Sequence, residues 1–217
     1  MKHVQEKIRA IAMTAVLVIS FGFSIKGQQL KDCDLIFQLS SASKFSKAIS
    51  GATAEAGELD FSHVGIIEIS ESGEANVIEA SPEEGVRSVS LQEFLDNSPK
   101  IEGRSGVVIK RLQIDIEPGK IIETAKGYTG ESYDWWYLPN NGKMYCSELV
   151  YESFVDAEGK HIFEATPMNF RNPDGSMPEF WTELFGKLGA EIPEGVEGTN
   201  PNGIARDKRL EEVLRYF

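Results

Sequence analysis

YCSELVYESF, residues 145–154, holds one of only two cysteines in a chain of 217 residues. Leu149, Val150, Phe154 and Val155 recur at helical spacing, so the stretch predicts an amphipathic helix with Cys146 at its start. Three readings of that sulfur compete: a small buried filler, half of a disulfide with Cys33, or a nucleophile. A filler is more at home mid-helix on the apolar face. A nucleophile gains from a helix N-terminus, where unpaired N–H groups and the positive dipole end favour a thiolate. Two cysteines far apart in sequence do not by themselves establish a bridge.

The segments before this helix read mostly as strands. Asp34 to Leu39 is a short apolar strand, followed by Ser-, Ala- and Gly-rich residues 40–60 that read as a helix or loop. Phe61 to Ile69 and Ala75 to Ala80, joined by the turn Glu71-Ser72-Gly73-Glu74, predict a β-hairpin. Gly85 to Ser90 is a further strand. Ser90 and Glu93 form a capping-box pattern ahead of a short helix. Gly106 to Leu112 is a strand, and Pro118 to Gly127 a helix with Pro at its start. Gly127 to Lys143 is an aromatic-rich loop. After Gly159 prolines punctuate the chain, with one short helix expected over residues 179–188. Strands first and the cysteine helix last give an α+β domain: an antiparallel sheet with helices packed on one side.

A nucleophilic cysteine needs a base and a group to orient that base. His63 and His161 are the histidines beyond the N-terminal segment. His161 sits in the polar turn Glu158-Gly159-Lys160-His161 and reads as solvated. His63 lies in a strand, on the face opposite Val64 by alternation; taken alone it also reads as a hydrogen-bonded strand histidine. Glu79, flanked by Ile78 and Ala80, is a carboxylate in an apolar strand and needs a partner there. In the hairpin it can lie beside His63 on one face, unless it is an edge charge facing water. Glu68 is five residues from His63 and falls on the other face.

Taken in order, Asp-Leu-Ile-Phe (34–37), Ser-His-Val-Gly-Ile (62–66), Val-Ile-Glu-Ala (77–80) and Tyr-Cys-Ser-Glu-Leu-Val (145–150) resemble the NlpC/P60 superfamily of papain-like cysteine hydrolases. With the cysteine helix last, the order is similar to its circularly permuted, YiiX-like branch, which is related to the lecithin–retinol acyltransferases. The resemblance spans residues 31–155. It implies Cys146 as nucleophile, His63 as general base and then acid, and Glu79 as the orienting third residue. It also implies a tyrosine near the oxyanion, for which Tyr133 fits the position and Tyr128 competes; packing against Trp135 or Trp136 accounts for Tyr133 equally well. Cys33-Asp34-Leu35 stands where the family usually has Gly-Asp-Leu, and the tail beyond residue 160 matches no motif.

Residues 1–27 have the plan of a secretory signal peptide: Lys2, Lys7 and Arg9, then the uncharged apolar run Ile11 to Ser24, then a small-residue exit near Gly27. The run is short for a spanning helix. Residues 28–217 are then the domain, and export to the periplasm or the exterior is expected. The whole chain carries −12; residues 1–27 carry +3, which leaves the remainder at −15. Such an acidic chain without a basic cluster disfavours nucleic acid and binding to anionic lipid by charge. No HExxH, CxxC, calcium-loop or phosphate-loop pattern occurs, so neither a cofactor nor a metal is expected. The expected function is an exported cysteine peptidase or amidase acting on cell-wall peptide amides. The alternatives are a lipid acyltransferase, thioesterase or lipid-amide hydrolase, and a non-catalytic envelope-binding module.

Overall fold

The apolar, β-branched runs form strands close to where the sequence places them. The computed structural model describes residues 29–217; the expected signal peptide falls outside the described residues. In chain order the elements are β1 Leu35–Leu39, α1 Lys44–Thr53, β2 Phe61–Ile69, β3 Ala75–Ser81, β4 Gly85–Ser90, α2 Leu91–Asn97, β5 Lys100–Ile101, β6 Arg104–Ser105, β7 Val107–Leu112, α3 Pro118–Gly127, α4 Cys146–Ser153, β8 Thr166–Pro167, α5 Glu179–Leu188, β9 Glu197–Gly198, α6 Pro201–Ala205 and β10 Leu210–Arg215. Six strands make one sheet in the order β10-β7-β1-β2-β3-β4, every neighbouring pair antiparallel.

The sheet has two apolar faces, because alternation sends successive side chains to opposite sides. Leu35, Phe37, Val64, Ile66, Ile78 and Ala80 join the main core with Leu149, Val150 and Phe154 of α4 and Ile121 and Ala125 of α3. Ile36, Ile67, Val77, Val107 and Ile109 form a second cluster with Phe94 and Leu95 of α2. Helices therefore cover both faces, not one as the sequence suggests. The short α2 is set by its Ser90 cap, whose Oγ accepts from Glu93 N at 3.1 Å; it reaches the far face by following β4 directly.

The tail is the larger departure. β10 extends the sheet beyond β7, with a register break between Glu212 and Leu214. Its acidic, half-exposed edge lacks the clean apolar alternation that marks the central strands. β1 is fixed at its start by Asp34, fully buried, whose carboxylate takes Arg111 Nε at 2.6 Å and Nη2 at 2.8 Å. Gly65, in the His-Val-Gly-Ile run, is required by packing: a Cβ there would lie 2.6 Å from Val77 Cγ1 and 3.1 Å from the Ile78 carbonyl oxygen. Among the described residues no helix is long and apolar enough to cross a membrane.

Candidate functional site

Cys146 is the first residue of α4, with Tyr145 as N-cap in extended conformation. The N–H groups of a helix's first turn have no intrahelical partner, so they face whatever lies beyond the end. The Glu148 carboxyl reaches back to the Tyr145 N–H at 3.3 Å and closes the turn. Burial, reinforced by Asp134, Glu152 and Glu131, pushes that carboxyl up to about 8. A carboxyl raised that far is mostly protonated at neutral pH and sets little charge against the sulfur two residues away.

α4 packs on β2 and β3, which brings the hairpin to Cys146. In β2, His63 pairs with Gln38 of β1, while the next β1 residue, Leu39, pairs with Phe61; Ser62 is the extra residue of a bulge. Bulges bend a strand and re-aim the side chains beside them. His63 Nε2 lies 2.6 Å from Glu79 Oε2. The other face of the interaction is the Cys146 thiol, for which Nδ1 is the remaining ring nitrogen. Burial alone would lower the basicity of the imidazole. The Cys146 sulfur and the Glu79 carboxylate beside it outweigh that, and the ring is pushed up to about 10. Phe94 of α2 stacks under the imidazole, centroids 6.0 Å apart.

Glu79 is buried and ionised. Burial raises its carboxyl, but hydrogen bonds from His63 and then Arg87 more than reverse that, leaving it below the usual carboxylate range. Arg87 is the group the sequence reading missed. It sits directly opposite Glu79 in the β3–β4 register and donates from Nε to Glu79 Oε1 at 3.0 Å, with Nη2 at 2.8 Å. Its Nη1 reaches Glu84 Oε2 at 2.7 Å. One Glu79 oxygen thus holds His63 and the other is held by Arg87. Arg87→Gln frees the second oxygen, so kcat/KM is expected to fall about tenfold, worth about 1.4 kcal/mol at the transition state. The acid limb of the pH–rate profile should move upward as Glu79 loses its cation; an unmoved limb would mean that Arg87 only braces the strand.

Tyr133 lies on the aromatic loop, buried, and lines a cleft of about 270 Å³ together with Cys146. Burial, then Tyr137 and Cys146, raises its phenol well above the ordinary value, so the hydroxyl keeps its proton. It also packs on Trp135, centroids 4.8 Å apart, so the packing account and the site account hold together. Tyr128 is at the C-terminus of α3 and lines neither this cleft nor the one on the His63 side. The loop is shaped by fully buried Asp134, which accepts from Trp136 N at 2.9 Å and Leu138 N at 2.8 Å. It is anchored at its start by Gly85, where a Cβ would collide with the Glu131 carbonyl oxygen.

Two clefts flank the pair. His63 and Glu79 line one of about 610 Å³, rich in hydroxyls from Ser41, Ser43, Ser62 and Ser81 and edged by Glu83 and Glu84. Cys146 lines the other, whose far wall is built by the unmatched tail: Met168, Phe170, Trp181 and Thr199. Cys33 takes no part. It is unbridged, like Cys146, and its buried thiol donates to the Pro118 carbonyl at 3.6 Å. Burial, then Asp32 and Asp34, pushes that thiol up to about 12. His161 stays apart, stacked on Tyr151 with centroids 3.9 Å apart. Glu68 pairs with Lys126 Nζ at 2.8 Å.

Comparison with known proteins bears on the family and the fold. Residues 29–214 match the model of a family described as permuted papain-like amidase enzyme, YaeF/YiiX, C92 family. YiiX of Escherichia coli (strain K12), an uncharacterised protein, is 28% identical over 187 residues, covering 85% of this chain and 86% of its own. A crystal structure of YiiX from Escherichia coli O157:H7, titled a metalloprotein, superimposes with a TM-score of 0.69 at 26% identity, covering 87% of this chain and 98% of that one. Among the described residues here, no group of three or more His, Cys, Asp and Glu side chains is placed to hold a metal ion.

Proposed function

The chain belongs to the permuted papain-like amidases of the YaeF/YiiX, C92 family, and from that membership we propose an exported cysteine amidase that uses Cys146, His63 and Glu79 on peptide amides of the cell envelope. One observation carries the reading: an imidazole gripped by a buried carboxylate at 2.6 Å meets a thiol at the first residue of a helix. Export rests on the basic head and apolar run of residues 1–24, and the envelope substrate rests on export.

In this mechanism the proton of the Cys146 thiol rests on His63 Nδ1, and the resulting thiolate attacks the amide carbon. The carbonyl oxygen becomes an oxyanion, held by the Cys146 N–H and the Tyr133 hydroxyl. The tetrahedral adduct collapses as the imidazolium gives its proton to the departing amine. A water, deprotonated by His63, then attacks the thioacyl carbon and expels the sulfur. Glu79 stays ionised throughout and stabilises the imidazolium, and Arg87 keeps it so.

The test is site-resolved labelling followed by a digest. Iodoacetamide at neutral pH should modify Cys146 and spare Cys33, as read by peptide mass spectrometry. Peptidoglycan fragments incubated with the protein should then gain free amines, and those incubated with Cys146→Ala should not. Equal labelling of both sulfurs, or cleavage that survives the substitution, would remove the assignment.

A further inference from the structure

Cys146, the residue a substrate carbonyl must reach, is 3% exposed, and the His63 side chain 13%. The two face different clefts, His63 lining one and Cys146 the other. An amide bond under attack spans both, since its carbon bonds to the sulfur while its nitrogen takes the proton of the imidazolium. Helix α1 lines both clefts as well. Phe45 and Ser46, in its first turn, border the His63 cleft; Ile49, Ala52 and Thr53 border the Cys146 cleft. The Phe45 ring also reaches the wall of the second cleft, with its centroid 6.4 Å from that of Tyr133 and 6.4 Å from that of Trp181. Phe45 therefore stands between the two clefts, where a bound substrate would have to pass.

The two ends of α1 are held differently. At the C-terminal end, buried Asn202 donates from Nδ2 to Thr53 Oγ1 at 2.9 Å and Arg206 Nη1 donates to the Thr53 carbonyl at 3.1 Å. Asn169 Nδ2 adds a bond to the Ala52 carbonyl at 3.1 Å. At the other end the Ser43 cap is internal to the helix, its Oγ accepting from Ser46 N at 3.1 Å. The ties to the rest of the protein there are surface ion pairs. Lys44 Nζ lies 3.4 Å from Glu179 Oε2 and 4.0 Å from Glu183 Oε1, with all three side chains largely exposed. Pairs of that kind hold weakly. Phe45 supplies the remaining grip, half-buried against Trp135 at 5.4 Å and Phe180 at 5.3 Å. Behind it the side chains are small, Ser46, Ala48, Gly51 and Ala52, and bury little apolar area. Ala42 and Ser43 before the helix and Glu55 to Leu59 after it are exposed. Elements with few buried contacts and exposed connections are the ones that open locally.

We infer that α1 is a lid over the catalytic pair, hinged at its Thr53 end, and that lifting its Phe45 end joins the two clefts into one groove and uncovers Cys146. The inference takes from the amidase reading above only that a substrate must touch Cys146 and His63 together. The latch is the Lys44 ammonium against Glu179 and Glu183 of α5, backed by the Phe45 ring. Lids of this kind move in microseconds to milliseconds. The closed helix therefore scales every reaction of Cys146 by the fraction of time it is open, without blocking it. Because the ion pairs are exposed, salt screens them and loosens the latch.

The experiment measures the rate at which iodoacetamide labels Cys146 at a single near-neutral pH. Wild type is compared with Lys44→Glu, with Phe45→Ala, and with Lys44→Glu combined with Glu179→Lys and Glu183→Lys. Lys44→Glu turns the latch repulsive and should speed labelling about threefold. Its direct electrostatic effect has the opposite sign, since a carboxylate in place of an ammonium disfavours a thiolate and slows labelling. Acceleration therefore reports access. Reversing both glutamates restores the attraction and should return the wild-type rate. Phe45→Ala removes the wedge and should speed labelling about tenfold. Cys33, buried behind Pro118, should stay unlabelled throughout, and Lys44→Glu should melt close to wild type because the site is exposed. Acceleration missing from Lys44→Glu or from Phe45→Ala, or not undone by the reversed glutamates, overturns the lid and leaves the amidase standing. Faster labelling of Cys33 alongside Cys146 would mean general loosening and would overturn it too. If Cys146 is labelled in none of these proteins, the amidase reading falls and the lid with it.

Discussion

Cys146→Ala should lower turnover of any amide the protein accepts by about 10⁴-fold or more, leaving at most the residual rate that binding and oxyanion donors supply without a nucleophile. The fold should survive it. The substitution removes one sulfur at the end of α4, while the residues that dock the helix, Leu149, Val150 and Phe154, are untouched and fully buried. The turn is closed by Glu148 on the Tyr145 N–H, which does not involve the thiol. A melting temperature close to wild type combined with lost activity would locate the chemistry at Cys146. Persisting turnover would move the nucleophile elsewhere, and Cys33 is a poor candidate because its thiol is held up near 12 behind Pro118.

How much of this was legible beforehand follows from which contacts are local. The hairpin could be read because β2 and β3 are adjacent in sequence and joined by a short turn, so alternation alone places His63 and Glu79 on one face. Arg87 was within reach of the same reasoning: β4 follows β3 through a three-residue turn, and the resulting register sets Arg87 directly across from Glu79. The wall of the Cys146 cleft was not within reach. Phe170, Trp181 and Thr199 come from separate stretches of a tail with no periodic pattern, and only the tertiary path brings them beside residue 146. β10 was missed for a related reason, since an edge strand with charged residues at 211 and 212 looks like a polar tail until β7 is there to pair with it. Tyr137 needed its backbone conformation to be known, because nothing in the letters Trp-Trp-Tyr-Leu announces a left-handed turn.

His63→Ala should produce the second large effect, and it can be read without a substrate. In the wild-type protein iodoacetamide is expected to label Cys146 rapidly at about pH 6.5, because the imidazole takes up the thiol proton. Without the imidazole, labelling at that pH should slow about tenfold or more, while turnover falls by about 10⁴-fold. The stability profile should change in a linked way. The folded-state pKa of His63 is raised, so its contribution is complete below the unfolded value of about 6.5 and is lost as pH rises through the folded value. Glu79 runs the other way: its folded pKa is depressed, so its contribution is present above about pH 4.3 and is lost as pH falls through the folded value. The wild-type melting temperature should accordingly decline as pH is raised from about 6.5 into the alkaline range, and His63→Ala should flatten that decline. Removing His63 also takes one of the two partners from Glu79, so the acid-side loss should begin at higher pH in the variant. An alkylation profile that ignores the substitution would return Cys146 to the role of a core sulfur and leave a binding module as the better description of the cleft.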